Sequence, residues 1–401
     1  MHDSSGSAFD AVTDLETARE RFRELVRPHG RTTARPVVDA VGAVLADPVT
    51  AERAVPHYER AAMDGYAVRA ADTQQAGRSP AVLAHSTAAV GQREAVDVHT
   101  GSALPEGADA VVMVEDTRDL GDEIEVQTAV TSGENVAPVG EDVAVDQHLY
   151  DAGHRLTPAD LGLLRSAGID AVTVADRPRV SVIPTGEELV PADEEPAPGQ
   201  VVETNGLVVS ELVERWGGAA TYRDIVTDDV ASLTEAVERD TDHDLVVTTG
   251  GTSVGDRDLL PEVVGDSGEV VVHGIAIKPG HPAGFGTVAG TPVVMLPGYP
   301  VSCLVVATQL LRPAIAASSG TEADPIPTTT ATLDRKLHSE PGVRSFARVR
   351  LEDGRAIPVR SSGAGVLSSA TLSDGWVVVP DALEGYAAGE EVAVEHWDWW
   401  P

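Results

Sequence analysis

The chain has 401 residues, 42% of them hydrophobic, with 64 acidic against 29 basic side chains and a net charge of -35. A length of this order divides into about two to four domains, and the charge excludes a nucleic-acid partner, because a phosphate backbone demands a basic face. The single cysteine, Cys303, rules out an intramolecular disulfide framework and a cysteine-rich zinc site, and its apolar helical surroundings mark it as core. Acidic residues occur in every segment and only two lysines are present, Lys278 and Lys336. That pattern fits a very salty cytoplasm, where the Debye length falls to about 3 Å and self-repulsion is screened. The chain shows no charged-then-apolar leader, and no apolar run of about 18 residues stands out, so a soluble cytoplasmic protein is expected, with no membrane partner.

Taken in order, Val12, Leu15, Phe22, Leu25 and Val26 recur at helical spacing and predict an amphipathic helix from Phe9 to Val26, stopped by Pro28. A second helix is expected from Pro36 through Val37, Val41 and Leu45 to Asp47. Short alternating runs from residue 61 to 130 predict a small β-rich domain. It contains Met63-Asp64-Gly65-Tyr66, a turn signal by itself, and Thr100-Gly101-Ser102. Thr157, Pro158 and Gly168 punctuate a further helix as N-cap, first position and closing glycine. These features predict a helical segment over 1–48 and 140–176, with residues 49–139 as an inserted β-rich domain.

Residues 177–322 alternate strand and helix, the pattern of a doubly wound, mostly parallel α/β domain. Strands are expected at 180–184, 221–226, 245–249, 270–277 and 292–296, with helices at 204–216, 230–239 and 301–316. Ligands in that architecture sit beyond the carboxyl ends of the strands. The candidate residues fall there: Glu188 after the first strand, Asp228 after the second, and Thr249-Gly250-Gly251-Thr252-Ser253 with Gly255 and Asp258 after the third. Lys278, Gly280 and His281 follow the fourth, and Pro297, Gly298 and Ser302 the fifth. Glycines without Cβ atoms allow positive φ and let backbone N–H groups approach an anion, although a glycine pair also simply makes a tight turn. Residues 323–401 read as a small C-terminal β-barrel or sandwich with a tryptophan-rich tail whose bland explanation is packing.

The ordered set formed by Ala62-Met63-Asp64-Gly65-Tyr66-Ala67, Thr100-Gly101, Gly140-Glu141-Asp142, Thr185-Gly186-Glu187-Glu188, residues 249–255, Ile277-Lys278-Pro279-Gly280 and residues 297–302 resembles the molybdopterin molybdenumtransferase family. That family includes the C-terminal domain of gephyrin. The resemblance covers nearly the whole chain. It implies an elongated homodimer with composite active sites, contact with the adenylyltransferase, and insertion of molybdenum from molybdate into adenylated molybdopterin, with Mg²⁺ and release of AMP.

By position, the resemblance assigns Asp64, Thr100, Asp142, Glu188, Asp228, Asp258 and Lys278 to catalysis, with Asp64, Glu188, Asp228 and Asp258 as Mg²⁺ ligands. Arg344, Arg348 and Ser368 of the C-terminal domain fall in segments that approach the family's cleft; a solvated strand face explains them equally. Three departures stand out: Ala137 in place of a basic residue, His281 in place of a second lysine, and Tyr299 in place of asparagine. Tungstate in place of molybdate, a molybdopterin adenylyltransferase and a non-catalytic pterin-binding scaffold are the rival readings.

Overall fold

A computed structural model describes residues 12–251, 259–360 and 365–398. The chain forms two compact units: one is built from the residues through Thr33 together with those from Ala175 onward, the other from Ala34 to Val174.

At the centre of the first unit is a six-stranded sheet in the order Ala219–Tyr222, Arg179–Pro184, Leu245–Thr249, Thr291–Leu296, Gly284–Val288, Gly268–His273. The first four strands run parallel and the last two add in antiparallel pairings. Every residue of Leu245–Thr249 is buried, as a central parallel strand covered on both faces requires. Helix Val230–Arg239 spans its expected residues because Asp229 caps it, accepting from the Ser232 N–H at 2.9 Å. The strand expected over 270–277 is interrupted at Gly274, whose φ of 90° turns the chain. Gly268–His273 therefore closes the sheet edge, while Ile277–Lys278 leaves it to pair with Arg344–Ser345.

Helix Leu15–Leu25 is capped by Asp14 and buries Leu15, Ala18 and Phe22. Phe22 meets Phe285 of the sheet with ring centroids 4.9 Å apart. This helix thus belongs to the core of the α/β unit, and not with residues 140–176 as the sequence pattern suggests. Helical backbone continues from Pro300 to Ser318, passing through a π-turn at Ala307–Leu311. Pro313 accounts for the turn, since its ring displaces the carbonyl four residues earlier. By length and a mean hydropathy of 1.5 this helix meets the criterion for a membrane span that none was expected to meet, yet 83% of it is buried inside the protein, as befits a core helix.

The C-terminal strands close into a five-stranded barrel, Arg344–Glu352, Arg355–Arg360, Thr328–Leu333, Glu391–Glu395, Gly375–Val379 and back to the first. Trp397 stacks on Trp376 at 5.6 Å, and Asp398 is ion-paired to Arg215 at the end of helix Asn205–Arg215. Packing therefore accounts for the described part of the tryptophan-rich tail; Trp399 and Trp400 lie outside the described residues.

The second unit contains a six-stranded sheet in the order Ala110–Met113, Gly65–Val68, Glu94–Val98, Ala81–Ser86, Glu123–Val126, Thr117–Asp119. Residues 37–51 and 143–174 share a separate small core. The helix expected from Pro36 to Asp47 is not formed: a strand, Thr32–Pro36, leads into a single short turn, Val37–Asp39. Four valines stiff at χ1 and Gly42 at a φ of 76° disfavour it, and Val38 and Val41 lie exposed.

Helix Pro158–Ser166 matches its sequence signals, with Thr157 and Asp160 forming a reciprocal capping box. Burial by itself would raise the Asp160 carboxyl, but the Thr157 backbone, His154, the Thr157 hydroxyl and Tyr150 outweigh it and bring the pKa down to about 2. A depressed folded pKa means that this stabilisation is present above the ordinary carboxyl value and lost as pH falls toward about 2. Asp160→Ala should lower stability at neutral pH by about 1–2 kcal/mol. It should also remove part of the acid-induced loss, as urea titrations at neutral and acidic pH would read.

Candidate functional site

The sheet register carries the expected rim. Ile183, Thr248, Met295, Gly284 and His273 lie in one row across the sheet, so the segments following strands 179–184, 245–249, 268–273 and 291–296 emerge on the same side. Backbone bonds then lock these segments together. Thr185 N–H donates to Thr249 O at 3.1 Å, Gly186 N–H to Val226 O at 3.2 Å and Gly250 N–H to Leu296 O at 3.0 Å.

Gly250 has a φ of 120°, and a Cβ on it would run into the Thr185 carbonyl oxygen. Gly251, at 63°, would place one 2.9 Å from Leu260. The two glycines therefore let the chain turn across the end of strand Arg179–Pro184 at a distance that no side chain permits. Gly280 is equally constrained, since its Cβ would lie 2.6 Å from Val306, so the Lys278–His281 segment packs directly on helix Pro300–Val306. Thr252, Ser253, Gly255 and Asp258 lie outside the described residues.

The hydroxyls of Thr185, Thr248 and Thr249 are buried and have no hydrogen-bond partner among the described residues. A buried hydroxyl left in that state costs about 1–3 kcal/mol. They sit at the ends of strands Arg179–Pro184 and Leu245–Thr249, beside the glycine turn. Glu188 is exposed and curls back over Gly186. Asp228 is half-buried with one carboxylate oxygen shielded from solvent, beside the helix cap Asp229.

Lys278 donates to the Glu340 carboxylate at 2.6 Å, and that pairing holds Glu340 below the usual carboxylate range. Burial keeps His281 below its ordinary imidazole value despite the opposing effects of Ile275 and Glu340. It is neutral at pH 7 and does not replace the charge of a second lysine. Pro297 and Ser302 are buried, whereas Gly298 and Tyr299 are exposed on the rim.

Three C-terminal candidates are placed differently. Arg344 forms ion pairs with Glu16 of helix Leu15–Leu25 and, at 3.7 Å, with Asp381. Arg348 is fully buried and donates to Phe346 O at 3.5 Å, so it is not the solvated strand residue that alternation suggests. Ser368 is exposed at the start of the short helix Ser368–Thr371.

In the second unit, Asp64 accepts from the Thr100 backbone N–H at 2.7 Å and from the Thr100 hydroxyl at 2.9 Å. The backbone bond first, and then the hydroxyl, hold the Asp64 carboxyl below its ordinary value. Gly65 makes this geometry attainable: a Cβ there would collide with the Val112 carbonyl in the neighbouring strand. The structure thus brings Asp64 and Thr100 into one exposed constellation. Asp142 is exposed, with its N–H bonded to Val55 O at 2.9 Å, and Ala137 is buried in a strand pairing with Arg60.

A cavity of about 660 Å³ lies between helix Leu15–Leu25 and the segment from Thr308 to Ile326, and none of its walls is a rim residue. Its guanidiniums are engaged internally, Arg19 by Gln309, Arg23 by Glu322 and Arg312 by the Asp324 carbonyl. The glycine rim, which it does not touch, is the better candidate site.

Two contributors escaped the sequence reading. Asn205 donates to Gly298 O at 2.7 Å, and buried Glu203 accepts from Gly206 N–H at 2.6 Å and from the Tyr222 hydroxyl. A polar triplet, Glu203-Thr204-Asn205, at the start of a helix beside the rim was the available signal.

An open parallel α/β sheet with a glycine-lined rim, joined to a closed β-barrel and accompanied by a separate β-rich unit, defines the class of multidomain pterin-handling proteins to which three family comparisons point. Residues 13–168 match the MoeA N-terminal region (domain I and II), residues 181–317 a probable molybdopterin binding domain, and residues 330–397 the MoeA C-terminal region (domain IV). A putative molybdopterin biosynthesis protein of Methanocaldococcus jannaschii is 34% identical over 386 residues, covering 94% of each chain. Molybdopterin molybdenumtransferase 2 of Mycobacterium tuberculosis is 34% identical over 383 residues, covering 90% of this chain and 94% of its own. The crystal structure of the molybdopterin biosynthesis MoeA protein from Pyrococcus horikoshii superposes with a TM-score of 0.83 at 35% identity, covering 97% of this chain and 100% of that one. The chain belongs to the MoeA family of molybdopterin molybdenumtransferases.

Proposed function

We propose that this chain inserts molybdenum into adenylated molybdopterin and releases AMP, completing molybdenum cofactor assembly. Adenylated molybdopterin and molybdate are its substrates. The observation that carries the reading is the rim itself: Gly250 and Gly251 at positive φ beside the buried Thr185 and Thr249 hydroxyls, which have no partner among the described residues, on a chain related over nearly its full length to named molybdenumtransferases. In the reaction, an oxygen of water or molybdate attacks the pterin-side phosphorus of the phosphoanhydride, the bond from that phosphorus to the bridging oxygen breaks, and AMP departs with the bridging oxygen.

Among the described residues, no three His, Cys, Asp or Glu side chains converge to cage a metal. Mg²⁺ needs no such cage, since it takes one or two carboxylates and fills its shell with water and phosphate oxygens. Glu188 and Asp228, on the rim, fit that donor set and would hold it, with Asp258, outside the described residues, as a further ligand on family position. The ion would neutralise charge on the departing phosphate. The rim threonines and loop N–H groups would bind the pterin phosphate, and Lys278 would exchange Glu340 for an oxyanion. Asp64 and Thr100 would orient the attacking oxygen, their mutual hydrogen bonds fixing the carboxylate. Asp142 joins them by family position.

The same reading includes a homodimer in a cytoplasm of high salt, where a net charge of -35 is screened. Molybdate and tungstate are nearly alike in size and charge, so the same rim would accept either anion. Incubation with adenylated molybdopterin, Mg²⁺ and either molybdate or tungstate in molar KCl, followed by mass analysis of pterin-bound metal, tests the proposal. Molybdenum should be retained on the pterin; a pterin recovered without molybdenum or tungsten would defeat the transferase assignment.

A further inference from the structure

We propose that Asn205 is a positioning residue for the pterin ligand, holding the Pro297–Tyr299 loop in register with the Gly250–Gly251 turn. The inference rests on the function proposed above.

Helix Asn205–Arg215 starts beside the rim, and its N-terminus is secured without Asn205. Thr204 makes no side-chain cap, whereas the buried Glu203 carboxylate accepts from the Gly206 N–H at 2.6 Å. Gly206 in turn fits closely against Tyr222 and Pro184, where an added Cβ would lie 2.6 and 2.7 Å from them. With its backbone fixed in this way, Asn205 directs its amide across 93 residues of sequence to the Gly298 carbonyl at 2.7 Å. That partner is an acceptor only, which assigns the donating end of the amide.

Gly298 is exposed, and a Cβ on it would stand 3.5 Å from the Gly250 Cα, so the tied carbonyl belongs to the segment lying against the glycine turn. The neighbouring Tyr299 is 66% exposed and offers the loop little packing of its own. A hydrogen bond from a fixed helix end is therefore the restraint that sets where this loop stands before a ligand arrives. Such a restraint lowers the ordering cost of binding more than it affects the chemical step.

Asparagine and aspartate separate this role from helix capping. At the first helical position, aspartate is favoured by the helix dipole and should keep or raise stability. Facing Gly298 O, however, it presents an acceptor to an acceptor and removes the donor. Positioning therefore predicts that Asn205→Asp melts at or above the wild-type temperature yet exchanges the Gly298 and Tyr299 amide hydrogens faster. It also predicts that Asn205→Asp binds adenylated molybdopterin, without molybdate, at least about tenfold more weakly. Asn205→Ala should weaken binding about fivefold, and kcat should change by less than about twofold in both variants. Wild-type loop exchange and ligand affinity in Asn205→Asp, with only stability altered, would overturn the proposal. If the wild-type protein itself does not bind adenylated molybdopterin, the functional reading fails while the exchange data still judge the tie to the loop.

Discussion

Gly250→Ala is expected to abolish pterin binding and to destabilise the α/β unit by about 3 kcal/mol, the sum of a strained φ and a displaced backbone neighbour. The position leaves no route for relaxation. At a φ of 120° an L side chain is strained whatever the space, and here the new methyl meets the Thr185 carbonyl, which is itself held by strands on both sides. Moving Thr185 would disturb its N–H bond to Thr249 O and the Gly186 bond to Val226 O, so the rim would lose its register at three segments together. Gly290→Ala is the matched control: Gly290 also has positive φ, 85°, but a Cβ there meets nothing within 4 Å. Its cost should stay near 1 kcal/mol with binding unchanged. Urea denaturation and pterin titration of the two variants provide the comparison.

Asp64→Ala is expected to leave the fold and pterin binding intact while slowing AMP release about 10²–10⁴-fold, the usual scale for losing a group that orients or activates the attacking oxygen. The side chain is exposed, and among the described residues its hydrogen bonds reach only Thr100, so little of the β-rich unit depends on it. Asp64→Asn keeps an acceptor for Thr100 and removes only the charge. Equal loss in both variants would assign the role to the carboxylate, whereas near-normal turnover in Asp64→Asn would assign it to the placement of Thr100. Full activity in Asp64→Ala would remove Asp64 from the mechanism.

What the sequence made legible follows from how local each signal is. Leu245–Thr249 and Val230–Arg239 were readable to the residue because one is an unbroken buried run and the other opens on a capping aspartate. Thr157, Pro158 and Gly168 punctuated their helix in the same way. The strand Gly284–Val288 carries Gly284 and Gly286, which weaken any strand pattern; they are required because a Cβ on either would collide with the adjacent strand's backbone. Val37 and Val41 share a helical spacing, yet only the tertiary surroundings decide that Val37 is buried and Val41 exposed.

Among the site residues, the glycines and the strand-end acids were legible because an open α/β sheet directs ligands to one edge. The engagement of Arg344 by Glu16, the burial of Arg348 and the reach of Asn205 to Gly298 each join positions distant in sequence, where periodicity and spacing are silent.

The central claim, that the rim receives an adenylated pterin whose anhydride is cleaved when the metal oxyanion arrives, is tested most directly in a single turnover. The protein, Mg²⁺ and one equivalent of adenylated molybdopterin are mixed in molar KCl, molybdate is added, and AMP is followed in time. The account predicts a stable complex that releases stoichiometric AMP only after the anion is added. AMP appearing at the same rate without molybdate or tungstate, or never appearing with either, would contradict it.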